Sequence, residues 1–318
     1  MGNTFNGMVV ENVAQQGFKA FLKALTPLGV FSTDLSADIA EQGTVVNSRI
    51  VPASSAAVDL LTNDTASGDR EHSNIITACT TTSVPVTLNQ QPIAGFELTD
   101  YDMARIASGV MADTKDKIIE TKAYAIASYM LKYAFNLVVP GTFTNTAAFT
   151  GEASAFDLDD VVDAGEACSQ LGWNMDDGKN YMVLDTAYHA ALKKDNAIQD
   201  LSASGIKVVQ DGQLPKLDVF NVLAAPVLRD ATTAYNASNY VRGFVCRPSA
   251  LVIASRQVPC QSTNAMMEVR TMTDPVTGAT MVMRAWYSPR YAKSFWTFET
   301  LFGAAAAQVT ALSVIKSQ

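Results

Sequence analysis

The longest amphipathic pattern in the chain runs from residue 100 to residue 135. Met103, Ile106, Ala107, Val110, Thr114, Ile118, Thr121, Ala125 and Tyr129 recur at steps of three or four, the spacing that puts side chains on one helix face. No proline interrupts the run and only Gly109 weakens it, so the pattern predicts one unbroken helix. Such a helix would span roughly 50 Å, more than a small domain requires, and would lie along an elongated subunit or between subunits. Thr99 and Asp100 are placed to cap its start, and Asp102 falls in the first turn, where the helix dipole favours a carboxylate. A shorter helix is predicted over residues 11–25, with Val13, Ala14, Phe18, Phe21, Leu22 and Leu25 on one side and Pro27 as its stop. Its polar side is not cationic enough for a membrane surface, so it is expected to pack on its own or a neighbouring subunit.

Period-two alternation predicts strands at 44–51 and 84–88, where Val84, Val86 and Leu88 alternate with Pro85 and Thr87. Between them residues 53–83 carry a polar stretch from Asn63 to Asn74 and then a run of threonines. A segment of that length without its own core reads as an extended arm. Residues 142–151 form a Gly/Thr/Asn loop that predicts a hinge. A compact α/β lobe follows. Asp157, Asp159 and Asp160 open a helix through Leu171, Tyr181–Leu184 is a strand, Thr186–Lys194 is a second helix, and strands are expected at 207–209, 219–223 and 244–254, the lobe ending near Arg256. In the tail, residues 268–273 and 280–287 flank Asp274-Pro275-Val276-Thr277-Gly278, a hairpin signature. Extended segments at 297–308 and 312–315 return the chain to the first lobe, which is therefore discontinuous.

Composition narrows the function classes. With 318 residues, 48% of them hydrophobic, the chain can bury a sizeable core and divide into two lobes. Only 17% of residues are charged. Ala, Thr, Ser, Asn and Val stand where Lys and Glu would be usual, which suits surfaces covered by other subunits and equally an Ala-rich soluble protein. A net charge of -8 argues against a sequence-independent grip on nucleic acid, which needs lysines and arginines to displace counterions. No run reaches the roughly 18 apolar residues that cross a bilayer, and the N-terminus lacks a basic head before an apolar stretch, so the chain is expected in the cytoplasm. Cys79, Cys168, Cys246 and Cys260 form no Cys-x-x-Cys pair and are expected as buried free thiols.

Candidate chemistry falls away on inspection. Gly172 to Lys179 resembles a phosphate loop but has one residue too many between its glycines, and Asn180 stands where Ser or Thr should meet magnesium. Asp157, Asp159, Asp160 and Asp163 lack the glycine turn and distal Glu of a calcium loop and read as dipole-complementing carboxylates. His189 has no nucleophile context and His72 lies in the polar arm. No catalytic residue, cofactor or metal ligand is expected, and the chain is not expected to be an enzyme.

The order of helix, strand, arm, strand, long helix, α/β lobe and hairpin resembles that of tailed-bacteriophage major capsid proteins of the Hong Kong 97 fold. The hairpin from Val269-Arg270-Thr271 through Met283-Arg284 and the close from Phe302-Gly303 to Ser313-Val314-Ile315-Lys316 look like the C-termini of scaffold-dependent podovirus and related coat proteins. The resemblance implies an α+β capsid fold. Its parts would be an N-arm at 1–43, a first part of the P-domain at 44–151 with an E-loop at about 52–84 and a spine helix at about 100–135, an A-domain at 152–256, and C-terminal P-domain strands at 257–318. It implies a structural protein that builds the icosahedral shell around double-stranded DNA, in the virion, assembled in the host bacterial cytoplasm. The implied partners are copies of itself in hexamers and pentamers, a portal protein, a decoration protein, and DNA packaged without specific binding; no membrane is implied. Because Met1 stands so close to the strand at residue 44, a separate scaffolding protein is expected. No lysine lies between Pro52 and Ser83, so locking should be non-covalent. The expected inter-subunit contact pairs Asp64, Asp69, Arg70 and Glu71 of the arm with Asp113, Lys115, Asp116, Lys117, Glu120 and Lys122 on a neighbour's long helix. An encapsulin-like compartment protein and a soluble α/β enzyme are the other readings.

Overall fold

The computed structural model describes residues 10–50, 82–108, 112–143, 145–195, 198, 214, 216–225, 241–260 and 267–317. Apolar side chains at helical spacing form its centre. Helix α1 (Val10–Leu25) buries Val13, Ala14 and Phe21. It lies along a long helix that buries Ile119, Ala123, Ile126, Ala127, Met130, Leu131, Ala134 and Phe135. Gly17 lets α1 approach the Phe298 ring beside that helix: a Cβ there would stand 2.8 Å from the ring and 3.4 Å from Ile119.

The single helix expected over 100–135 is two. Helix α2 (Asp100–Ala107) starts in a capping box, in which the Thr99 hydroxyl accepts from the Asp102 N–H at 3.2 Å and Asp102 accepts from the Thr99 N–H at 3.2 Å. It ends at Ser108, whose hydroxyl donates to the Arg105 carbonyl at 2.8 Å. Helix α3 (Ala112–Asn136) then begins afresh, so the longer element is 25 residues, about 37 Å, and not roughly 50 Å. The break also resets the helical phase. Met103 and Ile106 face inward as expected, but Thr121, Ala125 and Tyr129, read as core, are exposed, and Ile118 is only half-buried.

Among the described residues, four sheets accompany these helices. Strand β1 (Ser32–Ile39) pairs in parallel with β9 (Leu251–Gln257), which pairs antiparallel with β13 (Leu301–Ala306). A second sheet runs β10 (Met267–Thr273), β11 (Thr280–Ser288), β12 (Lys293–Glu299), β4 (Ile93–Thr99), all antiparallel. Strands β2 (Val45–Ile50) and β3 (Thr82–Thr87) form a two-stranded ribbon. The fourth sheet orders β5 (Phe149–Thr150), β14 (Leu312–Lys316), β8 (Val241–Cys246), β6 (Tyr181–Leu184) and β7 (Asn221–Ala224). Helices α4 (Leu158–Gln170) and α5 (Thr186–Lys194) belong with it, their buried Val161, Ala164, Tyr188 and Leu192 sharing a core with Met182, Leu184 and Val245.

Two expectations change here. The strand expected over 244–254 is split by a 3-10 turn at Pro248–Ala250, because proline cannot supply a ladder N–H. The turn sends β8 and β9 to different sheets. Strand β14, expected with the first lobe, instead pairs with β8 and β5. The boundaries at 152–256 and 257–318 therefore do not follow the sheets: β9 sits with the first lobe and β14 with the second. Strands β1 and β4 and the start of β12 were not anticipated, and residues 207–209 lie outside the described residues.

Arginines tie distant strands together. Arg256 of β9 donates to the Asp34 carbonyl at 2.7 Å and its carboxylate at 2.9 Å. Arg284 of β11 pairs with the buried Glu299, which also accepts from Gln91 at 3.0 Å. No helix among the described residues is long and apolar enough to cross a membrane.

Replacing Gly17 with leucine overpacks the α1–α3 crossing and should cost about 1–3 kcal/mol, read as a lower denaturant midpoint with an unchanged slope. The side-chain and backbone hydrogen bonds from Thr99 hold the Asp102 carboxyl below the free value of 3.8. As pH falls, the unfolded chain then takes up that proton first; the stabilisation is complete above the free value and is lost as pH drops through the folded one. Denaturant melts at pH 6 and pH 3 should show the wild type losing its advantage over Asp102→Asn at the lower pH.

Candidate assembly interface

The ribbon β2–β3 has one anchored face. Val84, Val86 and Leu88 are buried against Val252, Ala254, Val282 and Leu301, while Ser83, Pro85 and Thr87 face out. In register, Val45 pairs with Thr87 and Ile50 with Thr82, so the residues that flank 51–81 in sequence stand side by side. The other end of the ribbon, at Val45 and Thr87, is clamped. The Gly43 N–H donates to the Leu88 carbonyl at 2.7 Å, the Leu88 N–H to Thr44 at 2.9 Å, and Gln90 and Phe302 exchange backbone hydrogen bonds at 3.1 and 2.9 Å. Gly303 lies so close to the Thr87 carbonyl that any Cβ would overlap it.

The same clamp reaches α3. The Phe302 ring meets Tyr129 and Tyr133 edge-on at 6.3 and 5.4 Å. The Tyr129 hydroxyl donates to the Gln90 side chain at 2.6 Å and that of Tyr133 to Asn89 at 3.2 Å. The tyrosines of the exposed α3 face thus hold the residues just beyond β3. This role was not readable from the sequence, where Tyr129 counted as core.

Of the ten residues expected at the inter-subunit contact, Asp64, Asp69, Arg70 and Glu71 lie outside the described residues. Asp113 and Lys115 fall in the first turn of α3 by position. Lys117 and Glu120 are exposed, Asp116 and Lys122 half-buried. Glu120 lines a groove of about 680 Å³ between α1 and α3, together with Lys19, Lys23, Thr121 and Tyr124. Helix α1 therefore adds two cations to a surface that the sequence assigned to the long helix alone.

The second lobe has structural uses for the residues weighed as chemistry. The loop resembling a phosphate site is organised around a guanidinium: Arg247 donates to the Asn174 carbonyl at 3.0 Å and ion-pairs with Asp177, while the fully buried Asn180 donates to Asn174 at 3.0 Å. Desolvation opposes ionisation of Asp177, but hydrogen bonds from the Lys179 N–H and Arg247 prevail and hold its pKa low. Asp157 caps α4 and forms a capping box with Asp160, whose pKa is raised by burial and by the carboxylates of Asp157, Asp163 and Asp159. His189 is half-buried, and burial and Lys193 depress its pKa. Burial pushes the Cys168 thiol up to about 12 and that of Cys246 well above its ordinary value, so neither supplies a thiolate near neutrality. Cys168, Cys246 and Cys260 are free thiols; Cys260 is half-buried, and Cys79 and His72 lie outside the described residues. Among the described residues no group of three or more His, Cys, Asp or Glu is placed to hold a metal ion.

No protein-family model matches the sequence, and no curated protein does. Solved structures do. The capsid structure of the cyanophage P-SCSP1u is similar at a TM-score of 0.54 and 12% identity, over 91% of this chain and 86% of that one. The capsid of a native GTA particle (TM-score 0.49, 13% identity, 92% and 90% covered) and a structure from Mycobacterium phage Che8 (0.48, 15%, 87% and 85%) score too low to support a fold assignment of their own. Over the span shared with the cyanophage structure, the chain carries the Hong Kong 97-type phage capsid fold, an α+β architecture.

Proposed function

We propose that this protein is the major capsid protein of a tailed bacteriophage, a structural subunit that assembles with copies of itself into the icosahedral shell around double-stranded DNA. The observation that carries this reading is the fold shared with the P-SCSP1u capsid structure over nine-tenths of the chain. The anchored ribbon supports it, since a subunit that reaches a neighbour needs an arm with a rigid base. In this reading residues 1–43 are the N-arm and 51–81 most of the E-loop. Helix α3, with α2, is the spine of the P-domain, and the five-stranded sheet with α4 and α5 is the A-domain. The role is structural and not catalytic. No observation favours an encapsulin-like compartment.

Assembly is physical. Asp64, Asp69, Arg70 and Glu71 of the arm are proposed to meet Lys117, Glu120 and their neighbours on α3 of the next subunit, joined by Lys19 and Lys23 of α1. A single exposed pair contributes about 0–1 kcal/mol, so repetition around a closed shell makes such contacts decisive. The net charge of -8 leaves DNA ungripped, as packaging requires. A scaffolding protein, a portal protein and a decoration protein are the further partners of this reading, and the virion, assembled in the bacterial cytoplasm, its location.

Expressed with its neighbouring genes, the chain should give closed shells in negative stain; a monodisperse small oligomer with a ligand-stabilised melt would overturn the proposal. Arg70→Glu and Lys117→Glu should each lower shell yield and heat resistance. Shells of wild-type yield and resistance from both variants would remove the arm-to-helix contact and leave the shell reading standing.

A further inference from the structure

An apolar pocket of about 330 Å³ opens between the C-terminal end of α1, the 3-10 turn Thr26–Val30, β1 and the β10–β11 turn. Phe21, Leu25, Leu35, Met130 and Ile253 supply its wall, and Asp274 and Thr277 of the hairpin turn stand at its edge. Asp274 accepts from the Thr277 N–H at 2.9 Å and its hydroxyl at 2.5 Å, which holds the carboxyl ionised well below neutrality. Nothing within the described chain fills this space. An engineered cavity of about 150 Å³ takes up benzene, so a pocket twice that size admits a phenol ring with part of a second side chain.

A matching projection stands at the other end of the same sheet. In the β11–β12 turn, Arg290 lies 5.4 Å from the centre of the Tyr291 ring, and Tyr291 is 59% exposed. The turn is stiffened by its neighbours: the Asp100 N–H donates to the Ala292 carbonyl at 3.3 Å, and the Tyr287 hydroxyl to the Asp100 carboxylate at 3.1 Å. Exposed tyrosine beside arginine, held in place, is the composition of interface hot spots. Pocket and projection are separated by the nine residues of β11, about 30 Å of strand, so one chain cannot fill its own pocket.

We infer that Tyr291 and Arg290 of one subunit enter the pocket of a second copy of this chain, the ring against Phe21, Leu25 and Met130 and the guanidinium against Asp274. A surface pocket and a complementary projection at opposite ends of one molecule make a head-to-tail contact, which closes into rings when the rotation permits. The fit is apolar within and charge-complementary at the edge, so the occupant is the chain itself. The inference rests on the reading of the protein as a self-assembling subunit.

The test uses the full chain, with assembly followed by sedimentation and negative stain. Arg290→Asp and Asp274→Arg should each reduce the assembled fraction roughly tenfold, as loss of a hot-spot charge does, and the double variant R290D/D274R should recover most of it. Tyr291→Ala should lose assembly without altering the melt of the isolated subunit. Gly29→Trp, whose new side chain meets no atom within 4 Å of its Cβ and can occupy the pocket mouth, should lose assembly to the same degree, and combining the two should add nothing. Oxidation of Tyr291→Cys with Leu22→Cys should give inter-subunit disulfides. Wild-type assembly by the folded single variants, or no recovery in the charge swap, overturns the contact, whether the pocket then proves empty or takes an apolar small molecule. Failure of the wild type itself to form shells would instead sink the reading as a capsid subunit.

Discussion

Three phenylalanines from distant parts of the chain hold the two lobes in one body. Phe31 follows the 3-10 turn after α1, Phe135 closes α3, and Phe244 lies in β8 of the five-stranded sheet. Their ring centres stand 6.2, 5.8 and 5.7 Å apart, two contacts edge-on and one stacked. All three are at most 3% exposed. Such clusters combine large apolar burial with a preferred geometry, so they fix both the separation and the angle of what they join. Everything outward from this point inherits that placement: α3 radiates from it toward the ribbon, and β8 begins the second lobe.

The polar design follows from the same plan. The Arg256–Asp34 pair joins strands remote in sequence and Arg284–Glu299 joins the neighbouring β11 and β12, and each arginine sits where its carboxylate is at least partly withdrawn from water. The described surface between these clamps carries few charges and several large exposed side chains, including Tyr101 and Val276. A protein that worked alone would gain little from exposing tyrosine at a helix start and valine at the tip of a turn. A subunit whose surface is covered on assembly has reason to keep them there.

Local elements were legible wherever the chain signals its own boundaries. Proline ends α1, aspartates cap α4 and α5, and Asp274 to Gly278 makes the hairpin turn, each within a residue or two of the sequence reading. Tyr181–Leu184, buried from Met182 onward, needed only its apolar run. What could not be read is where a strand goes next. Strands β8 and β9 are continuous in hydrophobicity and differ only in the sheet that receives them, and β14 returns to the second lobe because Leu312 to Lys316 complete β8 there. Pairing partners are a property of the whole fold. Charge placed Lys117 and Glu120 on a surface, but only packing brought Lys19 and Lys23 of α1 beside them.

The misread face of α3 shows how a small interruption alters a functional argument. A helix advances about 100° per residue, so a phase taken from Met103 and Ile106 has no authority beyond the end of α2 at Ala107. With the phase carried through, Tyr129 is core and the aromatic face is invisible. With the break in place, Ile119, Ala123 and Ala127 face inward, while Tyr129 and Tyr133 turn to Phe302 and the end of β3. Their hydroxyls are then hydrogen-bonded to Gln90 and Asn89, which explains why tyrosine and not phenylalanine suits these half-covered positions. The end of the ribbon at Val45 and Thr87 is consequently held by α3, the longest helix among the described residues. In the proposed assembly, a segment presented from so well-held a ribbon would lose less conformational freedom on contact than one hinged on a loop, so more of each weak pair would survive as net attraction.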